Sequence, residues 1–169
     1  RKVIAFVGVG IALSALFAFG VAEAAPLATN GWAWSDVFGW LDFQSGSYKV
    51  NIDSATGNFS GYAWSSNAGW IEFAPAGPFP EAPNHSAKLD LATKQASGWV
   101  RILSLRDYNG SGWMKLRGSQ YGVNLDTATC VLKGWAWSSE LGWIHFDGSS
   151  YSVQADSSLC ALPNNAACV

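Results

Sequence analysis

Charge is scarce in this chain. Lys, Arg, Asp and Glu make up 13% of its 169 residues and the formal net charge is −2, whereas globular chains average about 25% charged residues. A nucleic-acid binder would normally carry a basic face, so no nucleic-acid partner is expected. Histidine is nearly missing. His85 lies in a Pro-rich stretch and His145 in a strand-like run, and neither sits beside a nucleophile in a recognisable motif. No cysteine pair has C-x-x-C spacing, which argues against a zinc site, so no metal and no cofactor are expected. Asp42 and Glu72 form an imaginable glycosidase pair, but they occupy equivalent positions of a repeat and read as periodic surface charge. The chain is therefore not expected to be an enzyme. A helix-period pattern is missing after Pro26, which leaves an all-β domain as the expectation.

Of the ten basic residues, Arg101, Arg106, Lys115 and Arg117 fall in one short stretch, expected to be the solvated face of a hairpin. The three cysteines, Cys130, Cys160 and Cys168, are all in the C-terminal third. In an exported domain an odd count suggests one bridge and one thiol. Cys160 with Cys168 would close a short terminal loop and is preferred. Cys130 with Cys160, at the same phase of successive repeats, is the alternative.

What the chain has in plenty is apolar surface. Twenty uncharged residues run from Val3 to Ala22, with Arg1 and Lys2 before them and Glu23 after. As a helix they would reach about 30 Å, enough to cross a bilayer core. Gly10, Ser14, Ala18 and Ala22 recur every four residues, a small-residue stripe along which a second helix can approach closely. The chain begins with Arg rather than Met, so residues 1–25 read as an assembly or membrane helix retained after upstream cleavage. Ala22-Glu23-Ala24 also fits a signal-peptide site, the competing reading. Residues 26–30 read as a linker and 31–169 as one domain.

This architecture resembles that of type IV pilin-like subunits, in which an apolar helix sits in the membrane before assembly and in the filament core afterwards. The resemblance covers residues 1–25 only. Arg1 and Lys2 depart from it, as does Ala5, where the family often has glutamate. It implies a homopolymer at the cell surface, with the membrane as a partner before assembly and a β-rich domain outside.

The remainder is organised by a tryptophan repeat. GWAWSDVFGWLDF starts at Gly31, GYAWSSNAGWIEF at Gly61 and GWAWSSELGWIHF at Gly134, with a degenerate copy at Gly98 that resumes as GWMKL from Gly112. Each copy is followed by an alternating run ending on aspartate: Asp53, Asp90, Asp126 or Asp156. Four quasi-repeats of short strands are expected, ten to twelve in all, as a sandwich, a meander or a repeat stack. The aspartates are expected to cap turns, although Cys130 stands where the first such turn has Gly57. Pro75, Pro78, Pro80 and Pro83 mark an irregular insertion, and Asn109-Gly110 a turn in a lengthened third hairpin. The motif is similar to G-Y-A-W-S repeats of secreted bacterial proteins, a resemblance that implies no activity.

Strand alternation puts Leu41 and Phe43 on a core face and Trp40 and Asp42 on the other. The same holds at Ile71/Phe73 against Trp70/Glu72, and at Ile144/Phe146 against Trp143/His145. Trp32 and Trp34 share a face on which the third copy has Trp99 and Arg101, so that face is not uniformly buried. Exposed rows of indoles can close the core, pack copies of the protein together, or stack on sugars. In the last case Trp40, Trp70 and Trp143 would be the platforms, with Asp42, Glu72 and Asn67 beside them. A filament subunit polymerising through its N-terminal helix is the first expectation. A secreted glycan-binding module with a cleavable signal is the second. Asn58, Asn84 and Asn109 each begin an N-x-S sequon and are glycosylation candidates on the extracellular reading.

Overall fold

Glycine fixes the course of every repeat. Gly31, Gly61, Gly98 and Gly134 have φ between +82° and +101°, which an L side chain adopts only with strain. A Cβ at any of them would stand 2.1–2.3 Å from a backbone carbonyl oxygen. These glycines let one continuous run bend from one hydrogen-bonded ring into a second. The protein was described by a computed structural model over residues 26–161.

The upper ring consists of four antiparallel hairpins. They are β1 (Pro26–Ser35) with β2 (Gly39–Asp42), β5 (Phe59–Ser65) with β6 (Gly69–Glu72), β9 (Trp99–Ile102) with β10 (Trp113–Lys115), and β12 (Val131–Ser138) with β13 (Gly142–His145). Each hairpin pairs with the next through β2–β5, β6–β9 and β10–β12. Pairing of β13 with β1, Trp34 opposite His145 and Ser35 opposite Ile144, closes the circuit. A closed antiparallel barrel of four hairpins results, with no free edge in that ring.

The second ring uses the first halves of the same long strands. β4 (Tyr48–Asp53) bridges β1 and β5, and β14 (Val153–Ala155) bridges β12 and β1. β11 (Val123–Asp126) pairs with β12. The pair β7 (Lys88–Leu89) and β8 (Ala96–Ser97) joins the circuit through single bridges, Asn58 to Lys88 and Gln95 to Asn124. β3 (Gln44–Ser45) pairs antiparallel with the start of β4 alone.

The motif's third apolar residue builds the axis of the barrel. Phe43, Phe73, Phe146 and Leu116 are all 0–1% exposed, with Phe43 5.4 Å from Phe73 and 5.7 Å from Phe146. Leu41, Ile71, Met114 and Ile144 surround them, fully buried. The motif's serines Ser35, Ser65 and Ser138 are buried too, and two of them link repeats: Ser65 Oγ donates to the Phe38 carbonyl (3.4 Å) and Ser35 Oγ to that of Leu141 (3.5 Å). In the third repeat the exposed Ser104 makes the corresponding link, its Oγ donating to the Ala68 carbonyl (2.7 Å).

A fold of one long apolar helix followed by a domain without helices is not what the structure shows. Among the described residues none of the helices is long and apolar enough to cross a membrane. Those present are α1 (Leu103–Asn109) and α2 (Ser157–Ala161), both short. α1 replaces the tip of the third hairpin, and Gly110 ends it in the left-handed conformation instead of making a hairpin turn. The stripe Gly10, Ser14, Ala18 and Ala22 lies outside the described residues. Residues 26–30, expected as a linker, belong to β1. There are fourteen strands among the described residues, more than expected, because most runs after the motif form their own short strands.

The bridge joins Cys130 to Cys160, 30 residues apart, rather than Cys160 to Cys168; Cys168 lies outside the described residues. Repeat phase decides it, since closing the ring brings the turn after β11 onto α2. Cys130 adopts φ 58° and Lys94 φ 60°, the left-handed position that Gly57 fills in the first turn. The turn survives there because the Cys130 N–H still donates to the Asp126 carbonyl at 2.7 Å.

Candidate functional site: three open aromatic clefts

The exposed face of each hairpin carries indoles because its strands alternate, and neighbouring repeats complete the grouping. Trp40 is the centre of the first cluster. Its ring lies 6.2 Å from Trp32 and 4.6 Å from Trp34 on its own hairpin, and 5.1 Å from Tyr151 of the preceding repeat. Trp70 repeats this with Tyr62 at 6.2 Å, Trp64 at 4.7 Å and Tyr48 at 5.1 Å. Trp143 does so again with Trp135 at 6.2 Å, Trp137 at 4.7 Å and Tyr121 at 5.1 Å. Most contacts are edge-to-face, the arrangement that the ring quadrupoles favour.

Between the tyrosine and the first aromatic of each motif lies a cleft. The three have volumes of about 290, 330 and 300 Å³ at the first, second and fourth repeats. Trp40, Trp70 and Trp143 remain 41–45% exposed, so each keeps part of its indole in solvent. Three exposed clefts of like geometry thus recur on one domain.

Polar groups fix the tyrosines. Tyr48 Oη donates to Asp42 Oδ2 at 2.9 Å, and burial together with this carboxylate pushes its pKa up to about 12. Tyr151 Oη is 3.0 Å from His145 Nδ1, and burial followed by the charges of Asp147 and Asp36 raises its pKa. Burial, then Glu81, raises that of Tyr121. All three therefore stay neutral phenols, able both to donate and to accept. Beside the first aromatic of each motif stands the residue paired across the hairpin: Asp42 by Trp32, Glu72 by Tyr62 and His145 by Trp135. His145 stacks on Trp135 at 4.0 Å.

Other candidates are placed less favourably for binding. Asn67 Nδ2 donates to the Phe38 carbonyl at 3.0 Å, which ties it to the scaffold. The four basic residues serve the fold. Arg101 lies 4.2 Å over Trp113 and bonds the carbonyls of Gly110 and Ser111, and Arg106 pairs with Asp107 at 2.7 Å. Arg117 bonds the carbonyls of Ala96 and Val123, and Lys115 meets Glu81 at 2.6 Å. The aspartates cap turns: Asp53 Oδ1 accepts from the N–H groups of Ala55 and Thr56, and Asp90 Oδ1 from those of Ala92 and Thr93. Asn58, Asn84 and Asn109 are exposed. Among the described residues, no cluster of three or more His, Cys, Asp or Glu suits a metal.

The alternating runs that end on aspartate do not by themselves single out Tyr48, Tyr121 and Tyr151. A signal for them existed, since each stands five residues after Phe43, Leu116 or Phe146. Their role depends on the contact with the following repeat, which a linear pattern does not contain. Comparison with family models, curated proteins and solved structures found no match, so the pilin-like resemblance gains no support from it.

Proposed function

We propose that residues 26–161 form a multivalent, non-catalytic binding domain in which three like clefts hold successive parts of an extended ligand outside the cell. The observation that carries the reading is the recurrence of one aromatic triple, with ring separations of 5.1 and 6.2 Å, at three of four positions in the ring. Core packing alone does not require it, since the same indoles leave more than a third of their surface in solvent. Joined weak sites gain avidity over any one of them, which suits adhesion to a repetitive surface. The Cys130–Cys160 bridge supports an oxidising, extracytoplasmic location. Assembly through residues 1–25 is not part of this reading, because that segment lies outside the described residues.

Arrays displaying both glycans and peptides test the reading. The full chain is expected to bind a repetitive ligand. Trp40→Ala, Trp70→Ala and Trp143→Ala should each weaken binding to that ligand by about tenfold, as expected when one of several linked sites is lost. A folded full chain that is retained by neither array would overturn the proposal.

A further inference from the structure

The fourth position of the ring is already filled, and by the chain itself. At the third repeat Trp99 and Trp113 keep the common spacing, 6.1 Å. Where the other repeats supply a tyrosine, the preceding repeat here runs into the insertion with Pro75, Pro78, Pro80 and Pro83, and this segment lies on the two indoles. Phe79 takes the tyrosine's place, 5.6 Å from Trp113. Trp99 Nε1 donates to the carbonyls of Glu81 (3.2 Å) and Pro83 (3.0 Å). Lys115 Nζ meets the Glu81 carboxylate at 2.6 Å and lies 5.3 Å over Trp99. Trp99 is left 6% exposed, against 45% for Trp32 and 42% for Trp135. The indole N–H groups of Trp32 and Trp135 have no hydrogen-bond partner among the described residues, whereas that of Trp99 has two.

From this occupied copy we infer that the three open clefts bind a proline-containing polypeptide segment, seated on the first aromatic of the motif as residues 80–83 are seated on Trp99. The inference rests on the multivalent-binding reading and names its ligand class. Proline suits the site physically: its fixed φ leaves little entropy to lose on binding, its ring packs on an indole, and its neighbours' carbonyls accept from an indole N–H. Proline-rich segments docked on aromatic grooves are a general recognition mode. The cleft rims add a charge preference. Lys115 faces Trp99 across the third hairpin and takes Glu81. Asp42 and Glu72 hold the equivalent places beside Trp32 and Tyr62. A ligand for the first and second clefts therefore carries Lys or Arg where the internal segment has Glu81.

The test follows the side-chain N–H resonances of the ten tryptophans of the full chain by NMR. The probes are a synthetic peptide of residues 74–84, its Glu81→Lys form, a form with Pro78, Pro80 and Pro83 changed to Ala, and chitohexaose. The internal segment is held at an effective concentration in the millimolar range, so free peptide is expected to bind weakly, at about millimolar. Signals of Trp32, Trp40, Trp70, Trp135 and Trp143 should shift, while that of Trp99 stays. The Glu81→Lys form should bind the first two clefts about threefold more tightly, and the Pro→Ala form about tenfold more weakly, through the chain entropy that three prolines remove. A chain carrying Trp40→Ala, Trp70→Ala and Trp143→Ala, folded by its unchanged Trp99 signal, should lose the remaining shifts. If chitohexaose shifts these signals and the peptides do not, the ligand is a glycan; this inference is then wrong while the multivalent reading stands. If none of the probes shifts these signals, this inference is wrong, and retention on the arrays decides the multivalent reading separately.

Discussion

At Gly61 a φ of +82° brings the backbone so close to β4 that a Cβ would lie 2.1 Å from the Lys49 carbonyl oxygen. Gly61→Ala meets both that backbone atom and the left-handed penalty, and is expected to cost more than about 2 kcal/mol. Gly46 has open space around it, so Gly46→Ala is the control, expected to stay within about 0.5 kcal/mol. Urea midpoints of the two variants check this. Tyr48 gives a second residue-level prediction. Its folded pKa of about 12 exceeds that of a free phenol, about 10, so the folded state holds its proton more tightly. The contribution is complete below pH 10 and is lost as pH rises from about 10 to 12. Among the late-titrating groups in tyrosinate absorbance, Tyr48→Phe should remove one near pH 12, and alkaline unfolding should shift with it.

Among elements, the turns after the second-ring strands respond to acid and to reduction. Hydrogen bonds from the Thr56 hydroxyl and then from turn N–H groups hold Asp53 below the usual carboxylate range, and backbone N–H groups do the same for Asp90. Asp156 is lowered through Ser158, and the Lys133 ammonium brings Asp126 down to about 2. Depressed carboxylates stabilise the folded state above the unfolded pKa of about 3.9 and lose that contribution as pH falls. Thermal midpoints should therefore drop between about pH 4 and pH 2, and less so in Asp126→Asn, which has given up its share at every pH. The Cys130–Cys160 bridge closes a loop of 30 residues, worth about 3–4 kcal/mol by loop entropy. Cys130→Ser with Cys160→Ser should lower stability by that amount. Denaturation of the variant with and without reductant should give one curve, whereas the native chain should give two.

Across the whole molecule, closure of the first ring by β13 on β1 makes the first and last repeats neighbours. An open stack of repeats can unravel from either end; this one has no such end in its barrel ring. We expect a single unfolding transition in which far-ultraviolet dichroism and tryptophan fluorescence coincide. Ile144→Ala, at a fully buried position facing the closure, should shift both curves together by about 2–5 kcal/mol. An early step confined to the fourth repeat would show that the ring opens before it melts.

The sequence by itself determined the repeat, its strands and the two faces of each hairpin, because alternation and glycine spacing act within a few residues. Leu41, Ile71 and Ile144 were legible as core and Trp40, Trp70 and Trp143 as outward for that reason. It also marked the aspartate turns, whose hydrogen bonds span two or three residues. Only the tertiary structure decided what those faces meet. Ring closure joined Cys130 to Cys160, placed Tyr151 of the last repeat against Trp40 of the first, and turned three rows of indoles into clefts. It also laid the proline insertion over Trp99, so that three clefts lie open and the chain itself covers the indole of the remaining one. Each of these contacts joins residues from different repeats, and a periodic sequence carries no record of which repeat its neighbour will be.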